Sequence, residues 1–469
     1  MNSAVLEWLE RGQQALDRHQ PHDAATAFRE AVQGAPHELG IRLALANAWR
    51  LAGDTLAARK TLIDAQRHAP WTDVGLLHEL GSALLESGAP KEAAACFLRV
   101  SRSRPTDPAP LGALAGAKRM AGEPAAAWAF IERALLLAPE HPTLLLTAAQ
   151  IRHDLADLDG ARDFLDRADA VRPHHHATQL QRAYTSLLRG PSAEGWQHFE
   201  SRPLPVPQTS ARPWHGESLV GASIAVTAEQ GVGDQFQFVR FVSALSARGA
   251  REIVVECHAD AVTLFRESGW HAVPRGTAPQ TDWHVPMMSL PHRLQCDRDV
   301  AGDRVPYLLS SQGPVSATSE PRATATRRLG LVWAGNPAFS GRITRDLDPA
   351  LLPSIAAIRG IEWLSLQHGD AASEAPASIT RSASPADWLA TARILRSLDG
   401  LVTTDTGIAH LAGAMGIRTW VLLQYVPDWR WGLSGAHSAW YPTLTLLRQP
   451  APGEWRDVIT QLERALTQG

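Results

Sequence analysis

The sequence has little cysteine, and what it has is scattered: Cys96, Cys257 and Cys296 are the three in 469 residues. That spacing suits neither a disulfide framework nor a zinc site and fits a reducing compartment. No run approaches the ~20 apolar residues of a membrane span. The opening MNSAVLEWLERGQQAL places acid where a secretory leader is basic and then apolar. A cytoplasmic protein is therefore expected. Neither charge is in excess. With 45 Lys plus Arg against 48 Asp plus Glu, the net charge is −3, which excludes the broad basic surface that binds nucleic acid by counterion release. No lysine follows Lys118, so a fixed cation beyond that point has to be arginine. No carboxylate cluster with metal-ligand spacing stands out, and neither a metal nor a cofactor is expected.

What the chain does have is a period. Phe28, Leu62, Phe97, Ile131, Leu165 and Phe199 are 34, 35, 34, 34 and 34 residues apart. Ala24, Ala58, Ala93, Ala127, Ala161 and Gly195 keep the same register four residues earlier. Pro36, Pro70, Pro105, Pro139 and Pro173 stand where each would stop the second helix of a unit. This is the tetratricopeptide period, in which small residues let two antiparallel helices pack closely and large ones fill the gap to the next pair. Residues 1–202 read as an α solenoid of five repeats and a partial sixth, whose concave groove suits an extended peptide or a protein acceptor. His174, His175 and His176 read as solvated turn residues, since adjacent side chains on a turn do not converge on one ion.

The remaining chain is too long for a single small core and reads as α/β. A proline-rich stretch, residues 202–214, is expected to be a stiff extended spacer that ends the solenoid. SIAVTA (223–228) and REIVVEC (251–257) read as strands of one doubly wound domain, residues 214–310. Residues 310–327 have linker composition. LGLVWAG (329–335) and IEWLSLQ (361–367) belong to a second such domain, residues 327–469, which EWRDVITQLERAL closes as an amphipathic helix. Near its end, TTDTGIAHLAGAMG (403–416) reads as a strand end, a polar turn and a small-residue helix. A helix N-terminus at the carboxyl edge of a parallel sheet is where phosphates bind. Thr406 and the N–H groups of Gly407 and Ile408 are the expected phosphate contacts, with Asp405 as cap or orienting group. In AEQGVGDQFQFVRFV (228–242), Gly231 and Gly233 are expected to turn the chain tightly so that Asp234 points across the gap between the domains.

Asp405, Thr406, Gly407, His410, Leu411, Ala412, Ala414 and Gly416 resemble the donor-site motif of the heptosyltransferase-like (family 9) glycosyltransferases, which have a GT-B fold of two Rossmann-like domains. The Gly-x-Gly-Asp turn and GLVWAGNPAFSGRITRD (330–346) resemble further parts of the same enzymes. YVPDWRW (425–431) and WYP (440–442) resemble a subgroup that fuses tetratricopeptide repeats to this transferase. The resemblance implies an inverting, metal-independent transfer of a sugar from a nucleotide-sugar to a hydroxyl, with Asp234 as general base and Glu229 as its reserve. It also implies that the donor site includes His410. The family often holds the diphosphate with lysine; here Arg342, Arg345 and Arg430 are the available cations. Where the family often places a glutamate for the donor's ribose or sugar, this chain has Gln367 and His368. Trp429 and Trp431 either shape the donor pocket or fill the core.

The repeats favour a protein acceptor, with flagellin or another surface protein the type such fusions suggest. They are expected only to recruit it, so that a fragment beginning near Arg212 would keep the chemistry. The alternatives are a non-catalytic repeat scaffold with a nucleotide-sensing α/β half, a heptosyltransferase acting on a lipid saccharide, and a sugar-nucleotide epimerase. The last would need paired carboxylates inside the donor pocket, and the sequence shows none.

Overall fold

A computed structural model describes residues 3–68, 74–206, 209–295, 305–310, 326–336, 342–382 and 385–467. The chain forms two compact units, Met1–His175 and His176–Gly469.

The first unit is a run of antiparallel helix pairs: Ser3–Asp17 with Pro21–Gly34, Leu39–Leu51 with Thr55–His68, Val74–Glu86 with Pro90–Ser103, Pro108–Met120 with Pro124–Leu137, and Pro142–Asp154 with Leu158–Val171. Each second helix ends two residues before a proline of the periodic set, and five helices begin on other prolines, Pro21, Pro90, Pro108, Pro124 and Pro142, where the missing N–H costs nothing. The periodic large residues Phe28, Leu62, Phe97, Ile131 and Leu165 are all buried. The small positions explain the tightness. A Cβ on Gly12 would stand 2.5 Å from the Phe28 ring, and one on Gly81 would stand 2.7 Å from Phe97. Turns within the pairs require a left-handed residue. Gly53, Gly88 and Gly122 supply it without strain, whereas Ala156 adopts it at φ 62°.

The sixth helix pair, His176–Leu188 and Ala193–Phe199, belongs to the second unit, although periodicity alone places it with the repeats up to Arg202. Trp196 and Phe199 pack edge-on against Trp429, and Trp196 likewise against Phe238. Two wholly parallel sheets follow. In the first, the order is β1 (Arg212–Pro213), β5 (Trp283–Pro286), β2 (Ser223–Thr227), β3 (Glu252–Cys257) and β4 (Ala272–Pro274). The second runs β11 (Leu444–Arg448), β10 (Thr419–Leu423), β9 (Gly400–Thr404), β6 (Arg327–Val332), β7 (Ile361–Ser365) and β8 (Thr380–Arg381). β9 and β10 are buried along their whole length, as parallel strands covered on both faces are. The closing helix, Trp455–Thr467, buries Trp455, Val458, Ile459, Leu462 and Leu466.

The proline-rich stretch is more than a spacer. Its far end is β1, where Arg212 and Pro213 pair with Trp283 and His284 at the sheet edge, a place that tolerates proline. At its near end the Arg202 guanidinium is fully buried. Residues 207–208 and the core of the expected linker, 311–325, lie outside the described residues, as does Cys296. Among the described residues no helix is long and apolar enough to cross a membrane.

Candidate functional site

The two motif turns meet between the two sheets. After β2 the chain passes through Gln230 at φ 48°, so the left-handed position in this turn is a glutamine and not one of its glycines. A non-glycine residue held there is the kind of strain that collects at functional sites. The helix Val232–Phe238 follows. Gly233 serves a different purpose from turning: a Cβ on it would stand 3.0 Å from the Gly407 Cα and 3.1 Å from the His410 ring. The helix Gly407–Ala414 opens at Thr406, whose side chain makes no capping bond. Its hydroxyl lies 3.0 Å from that of Thr403 instead. The N–H groups of Gly407 and Ile408 have no acceptor within the helix, whereas that of Ala409 donates to the Thr406 carbonyl at 3.0 Å. The small residues thus bring the two halves together.

Asp234 reaches back to accept the Gly231 N–H at 2.9 Å, and its other oxygen accepts from Arg430. Arg430 also donates to Asp428 at 2.8 Å and to the Gln237 side chain at 2.6 Å. Burial pushes the Asp234 carboxyl above the usual range, and the Arg430 cation opposes this in part. For Arg430 burial works against the charge, yet the Asp428 and Asp234 carboxylates outweigh it and hold the guanidinium protonated. Asp405 is pushed up to about 6, by burial first and then by Asp428, with the Arg345 cation pulling the other way. The Arg345 guanidinium lies against Gly335, where a side chain would displace it. The Trp431 indole N–H faces the Asp405 carboxyl. Two buried groups close to these charged residues, the Gln237 amide nitrogen and the Thr404 hydroxyl, have no hydrogen-bond partner among the described residues. Native interiors rarely leave such groups unpaired unless a ligand or water meets them.

Arg448 fixes the loop that carries Arg430. Its guanidinium donates to the carbonyls of Trp431, Gly432, Ser434 and Gly435. With no carboxylate among these partners, burial lowers its pKa to about 10.

Several expected site residues lie elsewhere. Glu229 is no reserve base: both its oxygens are held by Arg202, at 2.8 and 2.7 Å, and one also accepts the Met288 N–H at 2.9 Å. His410 is buried, stacked on Trp431 with ring centroids 5.2 Å apart, and its Nδ1 is 3.0 Å from the Tyr441 hydroxyl. Burial, then Arg430 and Arg240, push its imidazole well below its usual value. It is a neutral core residue rather than a donor contact. Gln367 has its amide fully engaged with backbone, accepting from Trp333 and Ala334 and donating to Ala334 and His368. It shapes the loop after β6 instead of presenting itself to a sugar. Arg342 opens the short helix Arg342–Arg345, and its side chain lies outside the described residues. Trp429 fills the aromatic core, whereas Trp431 borders the charged cluster.

Sequence reasoning missed Asp428, Gln237, Arg202 and Tyr184. Asp428 was within reach, because an Asp two residues before an Arg can cap its turn and pair with it, as it does here. The Arg202–Glu229 pair spans 27 residues and left no local signal. It also bears on the expected fragment: a chain beginning near Arg212 would lack Arg202, Trp196 and Phe199 and leave Glu229 buried without its cation.

No family model matches the chain. It is similar to Protein FlbA of Caulobacter vibrioides, 23% identical over 391 residues that make up 74% of this chain and 64% of that protein. The chain thus spans less than two thirds of that relative's length. Among solved structures it is similar to a tetratricopeptide repeat protein from Parabacteroides merdae, at 14% identity and a TM-score of 0.36 over 42% of this chain and 78% of the other. It is also similar to YrrB, described as a TPR protein with an unusual peptide-binding site, at 15% identity and a TM-score of 0.31 over 37% of this chain and 90% of the other. At such scores the repeat assignment rests on the helix pairs themselves.

Proposed function

We propose that the chain is an inverting, metal-independent glycosyltransferase of the GT-B type, which moves a sugar from a nucleotide-sugar to a hydroxyl acceptor, with the repeats recruiting a protein acceptor. The observation that carries this reading is the meeting of the Gly231–Asp234 turn with the N-terminus of the helix Gly407–Ala414, beside two arginines and two buried donors, on Gln237 and Thr404, without a partner among the described residues. Asp234 is the general base. A carboxyl raised by burial is a better proton acceptor than a solvated one, which is how a base is tuned towards neutral pH. The N–H groups of Gly407 and Ile408, with Arg345 and Arg430, receive the diphosphate. Burial raises the Asp405 carboxyl to about 6, so an anion bound beside it can draw a proton onto it more easily than onto an ordinary aspartate.

One observation favours the scaffold reading: Asp234 has both oxygens engaged, so it acts as a base only once Arg430 is drawn to a phosphate. Titration of the full chain with ADP-, UDP-, GDP- and CMP-linked sugars separates the two readings. The enzyme reading expects binding to one of them in the presence of EDTA, followed by nucleotide release. Asp234→Asn should keep that binding and lose about 10²–10⁴ in turnover. Binding without turnover in the wild type, with every acceptor protein tried, would leave the scaffold.

A further inference from the structure

The helix His176–Leu188 packs on the turn Trp429–Trp431, which carries Arg430. The Leu188 carbonyl lies 3.7 Å from where a Cβ on Gly432 would stand. One helical turn before Leu188 is Tyr184, partly exposed, its ring edge-on to Phe199 with centroids 6.3 Å apart. Its hydroxyl takes no hydrogen bond from the described residues. It lies close enough to Asp428, Arg430, Asp234 and Arg202 to feel their charges. Burial first, then Asp428, push the phenol above its ordinary value, so it stays protonated at neutral pH and is no proton acceptor. A neutral phenol in such a place can donate to an oxygen and accept from a hydroxyl.

We propose that Tyr184, on the helix pair that completes the repeats, is a specificity-determining residue of the charged site and hydrogen-bonds a hydroxyl of the sugar carried there. This rests on the reading of the site as a nucleotide-sugar site and adds to it that the repeat end supplies part of the pocket. The helix is held by its surroundings and not by Tyr184 alone: Arg202, just past the pair, is anchored to Glu229 and to the Ser289 hydroxyl at 2.8 Å.

The test uses the full chain and the conservative variant Tyr184→Phe, which keeps the ring and removes only the hydroxyl. Calorimetry compares ADP, UDP, GDP and CMP with the sugars linked to each. For the nucleotide that the wild type accepts, the variant should bind the free nucleotide within about twofold of wild type, while the sugar-linked form weakens about tenfold, as for one lost hydrogen bond. An unchanged melting temperature shows that the packing is intact. If both forms weaken equally, or neither weakens while the melt is unchanged, Tyr184 does not touch the sugar and this inference falls alone. A wild type that gives no heat with any compound overturns the parent reading, and this one with it.

Discussion

Both units rest on glycines that let something large or rigid come close, but they use them over different distances. In the repeats Gly12 admits Phe28 and Gly81 admits Phe97, in each case 16 residues along the chain. In the α/β unit Gly233 admits Gly407, 174 residues away. A contact that closes locally can be copied from repeat to repeat, and each copy answers for itself. One that closes across two sheets exists once, and whatever depends on it fails together. For charge the contrast is one of burial. Repeat ion pairs such as Lys118–Glu123 and Arg119–Asp154 are partly exposed, whereas Arg202–Glu229 is wholly buried.

The largest effect that sharpens this contrast should come from Arg202→Ala. Removing one partner of a buried pair leaves the other charged and unsolvated, at about 3–5 kcal/mol. Denaturant unfolding should show that loss in the α/β unit, with the repeat signal unchanged; a loss below about 1 kcal/mol would mean that water reaches Glu229. Gly81→Val should come next. The added carbons have to displace the Phe97 ring, and overpacking of this kind costs about 1–3 kcal/mol. Its effect should stay within the repeats, and a matching loss of stability in the α/β unit would erase the distinction between the units.

Smaller still is the titration of Asp405. Its folded pKa of about 6 lies above the ~3.9 of an unfolded aspartate, so the folded state holds the proton more firmly. Stability from this group is therefore present in full below about pH 4 and lost as the pH rises through 6. Asp405→Asn should flatten that slope and gain on the order of 1 kcal/mol at pH 7, the figure being discounted for partial exposure. An identical pH profile in the variant would mean that Asp405 does not carry this titration. The smallest effect belongs to Ala156→Gly. Relief of a left-handed alanine, less the added freedom of the unfolded chain, should stabilise the repeats by about 0.5 kcal/mol.

The contrast in distance also explains what could be read in the sequence. The helix pairs were legible because Phe28, Leu62 and their successors repeat a local requirement. Strands β2, β3 and β7 showed as apolar runs with definite starts. The strand that ends in this motif, β9, begins only at Gly400, because Leu395 and Arg396 finish the preceding helix. For the site, a motif says which residues lie near a turn but not which way they face. His410 lies on the motif helix and points into the core, held by Tyr441. Gln367 occupies the expected neighbourhood and spends its amide on backbone. Periodicity assigned the sixth helix pair to the repeats because its small and large residues keep the register; only three-dimensional packing shows that Trp196 and Phe199 face Trp429.

That packing has an optical consequence. The Trp196 and Trp429 rings lie 5.4 Å apart, with Trp440 at 6.3 and 6.1 Å from them, all nearly perpendicular. Indoles so close and so oriented share their electronic excitation and give a split circular dichroism band that isolated tryptophans do not. One of the three comes from the last helix pair and two from the loops around Arg430. The band therefore reports, without any label, whether the end of the repeats is seated on the charged site, and a ligand that shifts that seat changes the band.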